Sequence, residues 1–403
     1  MNHTLHLPEA PPLRTRETSR PVRYLILRAH PGRSRADFYN CQELGLAAFL
    51  RDHDIEVGVA AVFDDDARDL DPRLRVHQLE FRPQHPAVAL ISNLPALNLP
   101  GYDIVQLSDL CLPGNLQVIL RSPRSTRFLL YQGHYPEPLG RARWLRVWQS
   151  RMAAMALRSR PHAVLAKSTA AAQFLARAGL GSAPVAGVGL VAANLLSPQP
   201  LPVPITRFLD QSKFTFLYVG QLNERRPLRW VLPHLRDPAL AHASLLVVGA
   251  GPSLDRLRAQ GADLVAAGRL MFSGTLNQSQ LGTLYRRVDA LVLPTRFEIF
   301  GMVCLEAVLF GLPVIASDVA GPAAVAAQFP DRVGLIAPDR NPTGWRQAMA
   351  AVARRPSPRQ FVGEPDPELV RALSWATPGR HFLRAIGQLL PLRSPQAGEY
   401  AHD

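Results

Sequence analysis

The chain has 403 residues, 47% of them hydrophobic and 19% charged, a composition that fits a globular protein and excludes a fibrous or wholly disordered chain. No apolar run approaches the roughly 18 residues that span a bilayer, and the Pro- and Arg-rich N-terminus is unlike a signal peptide. Three widely spaced cysteines, Cys41, Cys111 and Cys304, favour a reducing cytoplasm over a disulfide framework or a zinc site.

The net charge of +13 comes almost entirely from arginine and is unevenly distributed. Residues 121–177 hold eleven basic residues and a single acidic one, Glu137. Such a basic field attracts nucleic acid, an anionic membrane surface or a phosphorylated substrate. An arginine-rich genome gives the same excess without any partner, so composition leaves these alternatives open.

Short apolar runs alternate with amphipathic segments in two successive series. In the first series, strands are predicted at VRYLILRA, IEVGVAAVF, YDIVQLS, TRFLLYQG and HAVLAKS, with a helix at QELGLAAFLRDHD. In the second, strands are predicted at FTFLYVG, SLLVVGAG, RLMFSGT, DALVLP and LPVIASD, and helices at PLRWVLPHL, PSLDRLRAQG, SQLGTLYRRV and GMVCLEAVLF. The alternation predicts an α/β fold with two Rossmann-like, doubly wound domains.

Changes in composition suggest the domain boundaries. We predict a flexible N-terminus at 1–20, a first Rossmann-like domain at 21–196, a linker at 197–212, a second Rossmann-like domain at 213–372, a late helix at 373–390 and a flexible tail at 391–403. The linker assignment rests on its prolines and on the absence of a long apolar period. Ligands of such sheets bind outside the carboxyl ends of the strands, so we expect the site in the cleft between the domains.

Two glutamates eight positions apart lie in PTRFEIFGMVCLEAVLFGLPVIASD. Glu298 is in the loop after the strand DALVLP, and Glu306 is in the first two turns of a helix that starts near Gly301 and ends at Gly311. Free backbone N–H groups at a helix start bind anions. Here they belong to Phe300, Gly301, Met302 and Val303. Capping by Glu298 and a surface position for Glu306 explain the two acids equally well at this stage.

A basic loop, YVGQLNERRPLRW, follows another predicted strand. Gly220 ends the strand, and Gln221, Arg225 and Arg226 come after it. A guanidinium group at this edge suits a diphosphate, because its fork matches phosphate oxygens. A solvated basic loop is the alternative.

Three more strand-to-helix loops carry candidate residues. VVGAGPSL, with Gly249 and Gly251, opens a helix at Pro252 but is only half of a dinucleotide-binding fingerprint. TRFLLYQGHYPEP places Gln132 and His134 after a strand, where a histidine bonds a substrate hydroxyl or is an ordinary loop residue. In HPGRSR, Gly32 allows a ligand close to the backbone.

Two other patterns admit a bland and a functional interpretation. FDDDARD suggests a metal site, but without further ligands nearby it favours a solvated acidic loop. In RARWLRVWQSRM, Trp144 and Trp148 are four residues apart among arginines. That spacing is typical both of a helix on a lipid interface and of a helix that packs its tryptophans into the core.

Taken together, these motifs resemble those of the retaining glycosyltransferases of family 4. PTRFEIFGMVCLEAVLFGLPVIAS looks like the E-x7-E signature of that family, with Glu298 and Glu306 as its acids. YVGQLNERRP, VVGAGP, FSGTL and LYRRVDALVLP follow the family's order, and SWATPGRHFL resembles its closing tryptophan-containing helix, which crosses back to the first domain. The resemblance covers about 22–390 and is most specific over 214–320.

The sequence departs from that pattern at several positions. Gln221 stands where arginine is usual, Arg226 where lysine is usual and Pro227 where glycine is usual. HPGRSR replaces a Gly-Gly pair, and Gln132 replaces a common histidine, with His134 two residues away.

The resemblance implies the GT-B architecture, in which the first domain binds the acceptor and the second binds a nucleotide-diphosphate sugar. It implies that Glu306 bonds the ribose, Arg226 faces the diphosphate beside Gln221, and Glu298 contacts the transferred sugar. The catalytic residues predicted in this way are Glu298, Arg226 and His134. The predicted donor site consists of Gly220, Gln221, Arg226, Gly249, Gly251, Leu276, Glu298, Phe300, Gly301, Met302, Val303 and Glu306. The predicted acceptor side consists of Gly32, Gln132 and His134.

The implied reaction is transfer of a sugar to a glycan, lipid-linked or other acceptor with retention of configuration and without a metal or other cofactor. Cationic side chains and a helix dipole would stabilise the departing diphosphate. Because the basic region 121–177 falls in the acceptor domain, contact with an anionic membrane at the cytoplasmic face is expected. The alternatives are a nucleotide-sugar epimerase, a phosphorylase-like enzyme, a catalytically silent relative, and a basic membrane- or nucleic-acid-binding protein, although no nucleic-acid motif is present.

Overall fold

The computed structural model describes residues 20–31, 42–63, 74–83, 88–133, 143–336, 342–355 and 364–390. These residues form two six-stranded parallel sheets, each with helices on both faces, and a small two-stranded sheet. The predicted α/β class with two doubly wound domains is therefore confirmed.

The first domain has the strand order β3-β2-β1-β6-β7-β8, with β4 and β5 forming the small antiparallel pair. Its elements are β1 (Val22–Leu27), α1 (Gln42–Arg51), β2 (Ile55–Ala61), β3 (Arg75–Gln78), β4 (Phe81–Arg82), β5 (Leu90–Ile91), β6 (Ile104–Ser108), α2 (Pro113–Arg121), β7 (Arg127–Gln132), α3 (Arg143–Arg158), β8 (His162–Ala166) and α4 (Thr169–Arg177).

Alternation along the central strand explains why this sheet is covered on both sides. Tyr24 and Ile26 on β1 pack into the core that includes α1, whereas Leu25 and Leu27 point to the opposite core, which includes α2, α3 and α4. Successive side chains of a strand face opposite ways, so an unbroken apolar run requires a layer of helices on each face.

The connection between the domains contains more regular structure than predicted. It includes α5 (Ala193–Leu196) and α6 (Val203–Gln211), and α6 buries Ile205, Phe208 and Leu209. The prediction that this stretch lacks an apolar period was wrong, because those three residues follow helical spacing. The prolines do not prevent the helix, since Pro204 lies in its first turn, where no N–H is needed.

The second domain has the strand order β11-β10-β9-β12-β13-β14. Its elements are β9 (Phe214–Val219), β10 (Ala243–Val248), α7 (Leu254–Gln260), α8 (Ala262–Ala266), β11 (Leu270–Gly274), α9 (Gln278–Tyr285), β12 (Ala290–Leu293), α10 (Met302–Leu309), β13 (Val314–Ser317), α11 (Ala320–Gln328), β14 (Val333–Ile336) and α12 (Pro342–Ala353).

Three details of this domain differ from the prediction. PLRWVLPHL forms short 3-10 turns at Leu228–Trp230 and Leu232–Arg236 instead of an α-helix, because Pro233 lacks the N–H that a helix interior needs. The helix α7 begins at Leu254 rather than at Pro252. The strand β14 was not predicted at all.

The last described helix crosses back to the first domain. After α13 (Pro367–Leu373), α14 (Ala376–Leu389) packs against α1, β7 and β8. Trp375, which is buried between the two helices, lies over Gly45 of α1 and over Gly189. None of the described helices is long and apolar enough to cross a membrane.

The contact between Trp375 and α1 leads to a test of this docking. A Cβ atom at Gly45 would lie 2.4 Å from Trp375 Nε1 and 2.5 Å from Val191 Cγ2. We expect Gly45→Ala to lower the free energy of unfolding by about 1–3 kcal/mol through overpacking, measured by urea denaturation. Gly334→Ala is the matched control, because a Cβ atom there would lie 3.8 Å from the carbonyl oxygen of Val314, and its effect should stay within about 1 kcal/mol. Equal effects of the two variants would contradict the packing.

Candidate active site

The strand order of the second sheet reverses between β9 and β12, and the loops that leave these two strands meet there. The N–H of Arg296 donates to the carbonyl oxygen of Arg225 at 2.8 Å, and the Arg225 guanidinium lies 5.0 Å from the centre of the Phe297 ring. Such a reversal opens a crevice at the carboxyl edge of the sheet, which is where ligands of doubly wound domains bind.

An ion pair joins the two loops. Arg226 donates from Nη2 to Glu298 Oε2 at 2.6 Å and from Nε to the same oxygen at 3.2 Å. The two side chains are only 22% and 13% exposed. A Cβ atom at residue 220 would lie 2.1 Å from Arg226 Nη1, so only glycine at that position leaves room for the guanidinium group. Two residues predicted to be catalytic are thus in direct contact.

The start of α10 lies directly after Glu298. Gly301 precedes the helix with φ of 78°, in the left-handed region that favours glycine, and Gly311 follows the last turn with φ of 72°. Within the described part of the chain, no acceptor is bonded to the N–H groups of Phe300, Gly301, Met302 and Val303. The positive end of the helix dipole and these N–H groups together suit an anion.

Glu306 is buried, at 2% exposure, which rules out the alternative of a surface position for this residue. Its carboxylate accepts a hydrogen bond from Tyr285 Oη at 2.8 Å and a long one from Gln278 Nε2 at 3.5 Å. Burial raises the pKa of Glu306 and also the pKa of Tyr285. Among the residues that the structure describes, Gln278 Oε1 has no hydrogen-bond partner and Glu306 Oε1 has only the long bond, so these two oxygens have capacity to accept bonds from hydroxyl groups.

The VGAG glycines are explained by contacts between loops. A Cβ at Gly249 would lie 1.9 Å from the carbonyl oxygen of Gly220, and one at Gly251 would lie 2.3 Å from that of Leu222. The N–H of Leu222 also donates to the carbonyl oxygen of Ala250 at 2.9 Å. The motif therefore lets the loops after β9 and β10 lie side by side, which requires no dinucleotide. Any direct role of these glycines in donor binding stays a prediction.

Two other residues predicted at the donor site differ in exposure. Leu276 is buried after β11, whereas Gln221 is exposed and its Oε1 accepts from Asn223 Nδ2 at 3.2 Å. The neutral side chain of Gln221 leaves Arg226 as the cation nearest to Glu298 in this loop.

On the first domain, Gln132 is fully buried, and its Oε1 accepts from the N–H of Leu110 at 2.9 Å. The N–H of the next residue, Gly133, donates to Asp109 Oδ1 at 2.8 Å. In this conformation the amide of Gln132 holds the loop after β6, and its acceptor-side role stays a prediction. Gly32 and His134 lie outside the described residues.

Sequence reasoning missed Lys167, which follows β8 at the carboxyl edge of the first sheet. Its Nζ donates to Gln42 Oε1 at 3.1 Å and lies 4.7 Å from the centre of the Tyr131 ring. A Cβ at Gly133 would be 2.7 Å from Lys167 Cδ and 3.2 Å from Ile299 Cγ2. Gly133 therefore lies beside both the lysine stem and Ile299 of the Glu298 loop in the second domain. A lysine at a strand end, in a chain with very few lysines, was the available signal.

Asp109, Tyr285 and Gln278 were also missed. Asp109 follows β6 with φ of 64°, a backbone conformation uncommon outside glycine. Tyr285 and Gln278 had no sequence signal, because they meet Glu306 only through the packing of α9 on α10.

No group of three or more potential metal ligands occurs among the residues that the structure describes, and the acidic run at 64–69 is outside them. A cavity of about 520 Å³ lies at the amino edge of the first sheet, bordered by Arg23, Arg51, Arg75 and Tyr102, with Asp54 and Glu56 among its lining. It is on the edge opposite to the crevice, so it is not the candidate active site.

Two Rossmann-like domains with their carboxyl edges towards a shared cleft define the GT-B fold, as predicted. Comparison with solved structures agrees. Sucrose-phosphate synthase from Thermosynechococcus elongatus is similar with a TM-score of 0.66 and 19% identity, over 91% of this chain and 99% of that one. The Anabaena protein HepE, solved in complex with UDP-glucose, is similar with a TM-score of 0.60 and 16% identity, over 91% and 99%.

Sequence comparison points to the second domain in particular. Residues 213–355 match the profile of the family described as "Glycosyl transferases group 1". D-inositol 3-phosphate glycosyltransferase from Actinosynnema mirum is 32% identical over 160 residues, which are 38% of this chain and 38% of that protein. The chain thus spans well under half the length of this curated relative, and the similarity concerns one domain.

The buried carboxyl group leads to a pH-dependent prediction. Because the pKa of Glu306 is raised above 4.5 on folding, the folded protein retains a proton that the unfolded chain loses above that pH. The free energy of unfolding therefore falls as the pH rises from about 4.5 towards the folded-state pKa. Glu306→Gln removes the titrating carboxyl group and therefore lacks this fall. The free energy of unfolding of the variant, measured by urea denaturation at each pH, should therefore rise relative to that of wild type over the same pH range.

The exposed Glu80 provides the matched control, since Glu80→Gln makes the same chemical change on the surface. Its stability should follow that of wild type across the pH series. Parallel curves for Glu306→Gln and Glu80→Gln would show that burial of Glu306 does not affect its titration.

Proposed function

We propose that the protein is a retaining, metal-independent glycosyltransferase of family 4 that uses a nucleotide-diphosphate sugar. The carrying observation is the Arg226–Glu298 ion pair beside the unbonded N–H groups that begin α10, at the reversal point of the second sheet. The group 1 glycosyl transferase profile over the same domain supports the proposal, as does the UDP-glucose in the HepE structure.

The donor would lie across the crevice with its nucleoside towards α9. Glu306 and Gln278 have acceptor capacity for the ribose hydroxyls, and Leu276 offers a buried apolar neighbour for the base. The diphosphate would then reach Arg226 and the start of α10, where fixed positive charge and dipoles stabilise it. Glu298, released in part from Arg226, would accept bonds from the hydroxyls of the transferred sugar.

The proposed reaction takes place on one face of the sugar. The bond between the anomeric carbon and the phosphate oxygen breaks, and a bond to the acceptor oxygen forms on the same face. The proton of the acceptor hydroxyl passes to the departing phosphate, so no strong protein base is needed. Charge develops on the leaving diphosphate, and preorganised cations at that position lower the barrier. His134, Gln132 and Gly32 remain the proposed acceptor-side residues.

Lys167 adds a cation from the first domain. Its stem and Ile299 of the Glu298 loop both lie beside Gly133, so a modest closure of the cleft would bring the ammonium group towards the reacting centre. We propose a glycan or lipid-linked acceptor and a cytoplasmic location with peripheral contact at an anionic membrane, since the basic region 121–177 belongs to this domain.

The donor reaction is tested with a panel of nucleotide sugars that begins with UDP-glucose, in the presence of EDTA. We expect release of nucleoside diphosphate, and a product whose anomeric configuration, read by NMR, equals that of the donor. Activity that needs a divalent ion would contradict metal independence, and inversion would contradict retention. An isomerised sugar formed without acceptor would favour an epimerase, and a requirement for phosphate would favour a phosphorylase.

Arg226→Ala should weaken nucleoside diphosphate binding tenfold or more in calorimetry, about the loss of one charge-assisted hydrogen bond. Arg226→Lys should recover part of the affinity. Arg229→Ala is the matched control in the same loop, because Arg229 pairs with the exposed Glu224, and it should change affinity by less than about twofold. Equal losses in the two alanine variants would remove Arg226 from the proposed site.

Lys167→Met should lower kcat on the order of tenfold while it leaves nucleoside diphosphate affinity nearly unchanged, because the ammonium group acts only in the closed cleft. Lys213→Met, at an exposed position before β9, is the control and should match wild type. A loss of donor affinity with unchanged kcat would contradict this role for Lys167.

A further inference from the structure

The helix α3 exposes a row of large apolar side chains. Trp144 is 73% exposed, Trp148 56%, Met152 36% and Met155 55%, at intervals of four, four and three residues. Residues with this spacing lie on one face of a helix. Of the two alternatives for the tryptophans, packing into the core is therefore ruled out, and the lipid-interface alternative remains.

The opposite face of the same helix is firmly packed. Ala153, Ala154 and Leu157 are fully buried in the core of the first domain, and α3 packs beside α2. On α2, Leu120 is 64% exposed, and it lines a cavity together with Ala156 of α3. We call Leu120, Trp144, Trp148, Met152 and Met155 the α3 patch. Since α3 is anchored by its buried face, exposure of the patch is a property of the folded domain.

Arginines border the patch. Arg151 and Arg158 are exposed. Arg151 lies three residues after Trp148 and four before Met155, and helical spacing makes it a neighbour of both. Arg158 lies three residues after Met155 on the same side of α3. Arg121 and Arg124 are exposed next to Leu120 at the end of α2. Between Asp109 and Asp210, the sequence contains one acidic residue, Glu137. The four arginines that border the patch are thus all positively charged, which is complementary to an anionic partner.

We propose that the α3 patch docks the protein onto an anionic lipid bilayer. Tryptophan and methionine side chains would enter the boundary between headgroups and acyl chains, and the flanking arginines would bind lipid phosphates. The patch lies on a convex helix face and is apolar as well as basic, which is typical of a helix in the membrane interface. A nucleic-acid surface has no apolar layer for the methionines to enter.

The topology places the patch near the cleft. Because β7 and β8 are parallel, α3 runs back from the carboxyl edge of the sheet, so Trp144 is at the end nearer to the cleft. Docking would hold the acceptor side of the cleft close to the membrane. This consequence rests on the proposed transferase function, whereas the docking itself does not.

The test is co-sedimentation of the full chain with vesicles of phosphatidylcholine alone or with phosphatidylglycerol. We expect binding to the phosphatidylglycerol vesicles that weakens as salt is added. Trp144→Ser/Trp148→Ser should reduce partitioning tenfold or more, since both residues lose buried apolar area. Arg151→Ser/Arg158→Ser should reduce it on the order of tenfold, and only on anionic vesicles.

Two exposed residues of α6 provide matched controls. Val203, 70% exposed, gives Val203→Ser for the apolar change, and Arg207 gives Arg207→Ser for the charge change. Both should bind vesicles like wild type. Thermal unfolding verifies that every variant is folded, which is expected because all substituted side chains are exposed.

Three results would overturn the proposal. The first is no binding of the wild type to phosphatidylglycerol vesicles, and the second is full binding by the double tryptophan variant. The third is self-association of the wild type that this variant abolishes, which would make the patch an interface between copies of the chain. The assay contains neither donor nor acceptor. Failure of docking therefore leaves the transferase proposal intact, and absence of activity leaves the docking result intact.

Discussion

The candidate site depends on one interaction, the ion pair between Arg226 and Glu298. The two residues are 72 positions apart in sequence, and they meet because β9 and β12 are neighbours in the sheet. The Glu298 carboxylate holds the Arg226 guanidinium at the crevice and also offsets its positive charge. An arriving diphosphate would compete with the carboxylate for the same N–H groups, which would leave Glu298 able to accept bonds from sugar hydroxyls. In the proposed function, this ion pair therefore positions Arg226 for the diphosphate and Glu298 for the sugar.

The loops around that pair are held by backbone contacts. Gly220, Gly249 and Gly251 allow the loops after β9 and β10 to approach more closely than a side chain at these positions would permit. The hydrogen bonds between the two loops then fix the position of the loop that carries Arg226. A site that relies on fixed dipoles and cations needs such rigidity, because reorganisation during the reaction would cancel much of the electrostatic benefit. The glycines therefore contribute to the site through geometry.

The sequence was most informative about strands and loops, since continuous apolar runs and glycines at strand ends reflect local constraints. It was least informative about contacts between distant elements. Burial of Glu306 depends on Tyr285, a residue of another helix, and no local pattern reveals that pairing. The exposure of Trp144 could not be derived either, because a spacing of four residues fits a core face and a lipid face alike. The α6 helix was missed because its initial prolines were taken as breakers.

The two domains differ in the kind of binding surface that they present. The second domain carries the ion pair, the start of α10 and the buried Glu306, all of which would act on a ligand enclosed by the crevice in the proposed function. The first domain carries an exposed apolar patch in a basic field, together with Lys167 at the interface to the Glu298 loop. A soluble, charged donor is best captured by fixed charges in a crevice. Under the proposed function, an acceptor held in a membrane would not diffuse into such a crevice, so the domain that receives it would have to approach the membrane.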